Sequence, residues 1–152
     1  MKIIKNVFNH LGYTFSKTKK SIEINEIIKL NINYLKCDLL IDVGANRGDF
    51  SYEFIDKFNQ IILIEPNLNL KKNLIERFKK FKNVKIFDCG IDKESSIKKL
   101  NITSDKDESL SSIKKQNIII SKNLRNTKVT ATKDINLTRL DNLLKENNIT
   151  GK

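Results

Sequence analysis

Apolar positions change period several times along this chain, and the changes outline alternating helices and strands. Ile3, Ile4, Val7, Phe8 and Leu11 recur at helical spacing, and Gly12 ends that stretch. After a polar, basic loop at residues 14–20, a second helix is predicted over about residues 22–35, with Ile24, Ile27, Ile28 and Leu35 inward. Residues 38–43 read as the first strand. Phe50, Phe54, Ile55 and Phe58 then form a helical stripe. Residues 61–65 are a continuous apolar run ending in Glu65, the signature of a strand covered on both faces. Pro66, the only proline, suits a strand exit or a helix start. Leu70, Leu74, Phe78 and Phe81 make the next stripe, and residues 84–88 the third strand. A β-α-β-α-β order with short connections predicts a parallel sheet with right-handed crossovers.

Farther on the periodicity weakens. Residues 97–102 fit an edge strand. Residues 103–128 are polar apart from an island at Ile118, Ile119 and Ile120, and a connection of that length is expected to be functional or mobile. Residues 129–132 suggest a further strand. Thr138-Arg139-Leu140-Asp141 matches a capping box, with Leu140, Leu143 and Leu144 opening a final helix.

With 152 residues the chain holds about one domain and can bury a core. It has no apolar run of about 18 residues, the length a membrane span needs. The N-terminus lacks the apolar stretch and small-residue cleavage site of a signal peptide. Cys37 and Cys89 make no disulfide framework and read as small buried hydrophobes, so a cytoplasmic protein is expected. The formal net charge of +11 would suit nucleic acid or an anionic surface. The lysines are spread out, however, and short clusters such as Lys17-Thr18-Lys19-Lys20 lack the interleaved aromatics of a stacking platform. The charge is read first as compositional, with RNA kept as an alternative partner. His10 reads as a surface residue.

The chemistry concentrates at Asp42-Val43-Gly44-Ala45-Asn46-Arg47-Gly48-Asp49-Phe50-Ser51, where the first strand opens into a helix through two glycines. Glycine lets a ligand approach the backbone, and the helix start offers unpaired N–H groups. Three cofactor readings compete. A P-loop requires a lysine after the second glycine, and Asp49 stands there. A dinucleotide fingerprint requires Gly-x-Gly, and Asn46 occupies the second glycine position. S-adenosylmethionine has no phosphate and carries an ammonium and a sulfonium, so Asp42 before the turn becomes an asset. Glu65, ending the next strand about 20 residues past the turn, suits two ribose hydroxyls. Asp88, ending the third strand, is a candidate neighbour of the adenine.

These residues resemble a known family. Residues 41–51 resemble the first motif of the FkbM family of S-adenosylmethionine-dependent methyltransferases, and Ile64-Glu65-Pro66-Asn67 its second. Looser matches lie at residues 89–94, 109–112 and 137–141. The resemblance implies a Rossmann-like class I methyltransferase fold and O-methylation of a hydroxyl on a sugar or related molecule. It implies that Asp42, Gly44, Asn46, Gly48 and Glu65 hold the cofactor, and it names no catalytic base. Residues 1–36 then form an N-terminal helical extension, and residues 37–152 a partial methyltransferase domain. The family's later strands have no counterpart, so the domain reads as ending after the third or fourth βα unit. The first strand would be left as an apolar sheet edge, open to self-association or a partner chain. An inactive half that needs such a partner is the non-enzymatic alternative.

Overall fold

Four successive side chains, Ile61, Ile62, Leu63 and Ile64, are 0% exposed, as a strand covered on both faces requires. The computed structural model describes residues 31–32, 37–103, 113 and 129–151 and places these four in such a strand. β1 (Leu39–Val43), β2 (Gln60–Ile64) and β3 (Val84–Phe87) run parallel in the order β1-β2-β3. The register sets Val43 beside Ile64, and Ile64 beside Phe87. The predicted order of elements therefore holds. The protein is α/β, with helices beside a parallel sheet.

The helices that accompany these strands among the described residues are α1 (Asp49–Glu53), α2 (Leu68–Phe78) and α3 (Leu140–Glu146). Ile62 and Ile64 form one core cluster with Leu143 and Ile149, so α3 and the turn after it cover one face. Ile61 and Leu63 have the opposite parity and point to the other face. α1 and α2 pack together where Tyr52 meets Phe78 and Phe81 edge-on. α2 buries Leu70, Leu74 and Phe78, as the stripe predicts.

Several expectations change. The helix after the glycine turn is shorter than its stripe suggests and stops at Glu53. Phe54, Ile55 and Phe58 are nevertheless buried. The Asn83 side-chain amide donates to the carbonyls of Ile55 and Phe58, each at 3.1 Å, and so satisfies backbone acceptors that a longer helix would have paired. Residues 97–102 are indeed an edge strand, though not of the parallel sheet. They lie in β5 (Ser96–Thr103), which forms a second sheet with β4 (Gly90–Ile91) and β6 (Val129–Thr138) in the order β4-β6-β5. β5 and β6 are antiparallel, and the register puts Leu100 and Ile102 on the same face as Ile135 and Leu137. Those four make their own core cluster.

The same pairing carries β6 six residues past its predicted end at Thr132, which dissolves the capping box. Thr138 is still in the strand, and Arg139 takes the N-cap position without a side-chain cap. The Arg139 guanidinium instead grips Asp141 through two bonds of 2.9 and 2.6 Å. The two cysteines are half-buried rather than buried. Burial and the neighbouring Asp88 charge push the Cys89 thiol above its ordinary value.

Of the two N-terminal helices, Asn31 and Ile32 are helical, and the rest lies outside the described residues, as do His10 and the isoleucine island at 118–120. No helix among the described residues is long and apolar enough to cross a membrane.

Candidate cofactor site

β1 and β2 end side by side, which brings Asp42 and Glu65 to the same end of the sheet. Between β1 and α1 the chain takes the left-handed conformation at alternate residues: Gly44 (φ +79°), Asn46 (φ +52°) and Gly48 (φ +74°). The two glycines serve different ends. A Cβ on Gly48 would lie 2.5 Å from Phe78 Cε2 and 2.8 Å from Leu74 Cδ2, so α2 leaves no room for one. A Cβ on Gly44 would meet nothing within 4 Å. Gly44 is thus demanded by its backbone angle alone and leaves the turn open on its outer side.

Hydrogen bonds lock this turn to β2. The N–H groups of Gly44 and Ala45 both donate to the Ile64 carbonyl, at 2.8 and 3.2 Å, and Gly48 N–H donates to Ala45 O at 2.7 Å. Glu65 is 6% exposed. Its Oε2 accepts from Asn46 N–H and its Oε1 from Asn67 N–H, both at 2.9 Å. A buried carboxylate is tolerated only when donors surround it, and charged hydrogen bonds of this kind are the strong ones. Pro66 has no N–H to offer, so Asn67 supplies the next one along the chain. Asn67 also caps α2, its side chain accepting from Asn69 N–H at 3.0 Å.

Asp42 is held from within. The Ser51 hydroxyl, 0% exposed, donates to Asp42 Oδ2 at 2.6 Å. One buried atom in this region is left unmatched: Asn46 Oδ1 has no hydrogen-bond partner among the described residues. An unsatisfied buried acceptor costs roughly 1–3 kcal/mol, a cost that a donor-bearing ligand would relieve.

Five of the six predicted residues, Asp42, Gly44, Asn46, Gly48 and Glu65, therefore come together on one turn and the strand beside it. Asp88 follows β3 on the same side but makes no bond to the turn. It pairs with Lys71 at 2.9 Å, and that hydrogen-bonded ammonium holds its carboxyl below the usual 3.8. Sequence reasoning gave no role to Ser51, Asn67 or Arg77. Asn67 had a legible signal, an N-cap asparagine before an apolar stripe. Ser51 had a weaker one, its place in the first turn after the acid-bearing strand. Arg77 had none, because its Nη1 reaches back 30 residues to the Arg47 carbonyl at 2.7 Å and 28 to Asp49 Oδ1 at 2.5 Å.

The opposite end of the sheet holds a hollow of about 320 Å³ lined by Asp38, Asn59, Gln60, Lys82, Asn83, Lys85 and Thr150. None of the predicted residues faces it. Among the described residues no cluster of His, Cys, Asp and Glu could hold a metal ion.

The donor set at the turn has a definite chemistry. Two carboxylates and an unmatched amide oxygen are all acceptors. They suit a ligand rich in hydroxyl and amino donors better than one carrying phosphates.

No family model matches the chain, and no curated protein does. Among solved structures, the methyltransferase domain of bacterial CtHen1 is 15% identical, with a TM-score of 0.37, covering 41% of this chain and 37% of that one. A proposed RNA methyltransferase from Pyrococcus horikoshii is 26% identical, with a TM-score of 0.37, covering 41% of this chain and 32% of that one. Precorrin-6y C5,15-methyltransferase from Geobacter metallireducens is 23% identical, with a TM-score of 0.34, covering 49% of this chain and 44% of that one. The chain spans less than half the length of each of these methyltransferases.

Proposed function

We propose that this chain is the cofactor-binding part of an S-adenosylmethionine-dependent methyltransferase of the FkbM type, with a hydroxyl of a sugar or related molecule as acceptor. The observation that carries the reading is the buried Glu65 carboxylate joined to the turn through Asn46 N–H. It places an acceptor group against a glycine turn built without the lysine of a P-loop and without the middle glycine of a dinucleotide fold.

The residues fit the group by their polarity. When bound, that cofactor supplies an electrophilic methyl group on a sulfonium. Glu65 would take ribose hydroxyls. Asp42, oriented by Ser51, would attract the amino-acid end of the cofactor by its charge. Gly44 would let that end lie against the backbone. Asn46 Oδ1 would accept from a ligand donor. Asp88, ionised beside Lys71, would border the adenine. Acceleration would come from holding the acceptor oxygen in line with the methyl group, which proximity and orientation can supply without a strongly basic residue. β1 has β2 as its one strand partner among the described residues. Its other edge is where a further strand, from a partner chain or a second copy, would complete the acceptor side of the site.

Calorimetric titration with S-adenosylhomocysteine, with NAD as control, tests the reading. The expected result is saturable binding of the first, none of the second, and loss of binding in Glu65→Gln. A folded chain that binds NAD, or that binds S-adenosylhomocysteine equally well without Glu65, would sink it.

A further inference from the structure

We propose that Arg77 is a positioning residue that sets the shape of the glycine turn from outside, an inference that rests on the cofactor reading above. The Arg47 carbonyl lies between two left-handed residues, Asn46 and Gly48. A non-glycine residue in that conformation persists only when its surroundings hold it. Inside the turn, Glu65 holds the Asn46 amide. Outside it, Arg77 Nη1 donates to the Arg47 carbonyl at 2.7 Å and to Asp49 Oδ1 at 2.5 Å, and so ties the last turn of α2 to both the turn and the start of α1. The guanidinium is itself fixed, with its central carbon 4.6 Å from the Tyr52 ring centroid and 5.9 Å from that of Phe78. Phe78 is also the ring that leaves no room for a Cβ on Gly48.

One face of α2 thus holds the turn by a hydrogen bond, an ion pair and close packing at adjacent residues. The hydrogen bonds of Arg77 run to Arg47 and Asp49, neither of them proposed to contact the cofactor. Its effect passes through Arg47 and Asp49 to the backbone that presents Gly44 and Asn46. A lysine cannot replace it, because an ammonium lacks the planar fork that donates while stacking on an aromatic ring.

The test uses the full chain labelled with 15N-glycine, whose five glycines give five amide resonances. Arg77→Ala, Arg77→Lys and a control, Lys79→Ala, are titrated with S-adenosylhomocysteine well below their unfolding temperatures. Lys79 lies two residues on and pairs with Glu76, away from the turn. Expected are a five- to tenfold weaker affinity and displaced Gly44 and Gly48 resonances in Arg77→Ala, incomplete rescue by Arg77→Lys, and neither change in Lys79→Ala. A folded Arg77→Ala that melts earlier but keeps wild-type affinity and unmoved glycine resonances overturns the proposal. That result would leave Arg77 a stabilising contact only. If Arg77→Ala does not fold, Asp49→Asn takes its place. It removes one of the two bonds, and the expected loss of affinity is two- to threefold with the same resonances moved; no movement of either overturns the proposal. If the wild-type chain fails to bind, the cofactor reading falls, and the glycine resonances alone decide whether Arg77 sets the turn.

Discussion

The two sheets are built from different sequence logic, and the contrast shows why only one of them carries the proposed site. In the parallel sheet, β2 is buried on both faces, and its side chains cannot present chemistry to solvent. Function is displaced to the strand ends, where Asp42 and Glu65 stand beside backbone that must turn. In the second sheet, β5 and β6 bury little beyond one cluster, and most of β6 is exposed. It has long edges and exposed lysines, but no carboxylate that gathers backbone N–H groups as Glu65 does.

The sharpest way to break this contrast is to remove a core side chain from each sheet. Ile64→Ala should cost about 3–5 kcal/mol in chemical denaturation, because Ile64 is fully buried in the core beneath α3. Leu100→Ala should cost about 2–3 kcal/mol, at the low end of such truncations, and leave S-adenosylhomocysteine affinity unchanged. Equal losses of affinity in the two variants would mean that the sheets form one functional unit.

The glycines give the next largest effect. Gly48→Ala combines a left-handed backbone with a steric conflict against Phe78 and Leu74, so a loss of about 2–4 kcal/mol is expected. Gly44→Ala meets only the backbone term, about 1–2 kcal/mol. Ligand affinity should order them the other way, since Gly44 lies on the open side. Thermal melts and titrations of both variants check the crossing.

Smaller effects come from surface charge and thiol chemistry. The folded-state value of Asp88 is depressed, so its ion pair with Lys71 contributes stability above the ordinary carboxylate value of 3.8 and loses it as pH falls through the depressed value. Asp88 is half-exposed, so Asp88→Asn should change stability at pH 7 by only about 0.5 kcal/mol and flatten the acid limb below pH 4. The Cys89 thiol, held above its ordinary value, should react with iodoacetamide at pH 8 more slowly than glutathione does. Faster reaction would place it in a more open setting than its packing against Ile62 and Ile64 implies.

How much of this was legible in the sequence follows the same division. The parallel sheet was readable because a doubly covered strand must be an unbroken apolar run, and because glycines at left-handed positions have few substitutes. The second sheet was only half readable. Ile135 and Leu137 alternate with polar residues, and their pairing with a strand some 35 residues earlier leaves no local trace. The capping box failed for that reason, since tertiary pairing took Thr138 before the helix could. In the site, the acids and glycines were visible, while Arg77 and Asn83, which act on backbone carbonyls about 30 residues away, were not.

The bond from Asn46 N–H to Glu65 also bears on how the molecule comes together. Its ends are 19 residues apart, and it exists only when Val43 lies beside Ile64. A slip of one residue between β1 and β2 would turn Glu65 to the opposite face and leave the amide exposed. Protection of the Asn46 amide from hydrogen exchange is therefore a gauge of strand register, and chains that mispair these two strands would lose the turn before losing any secondary structure.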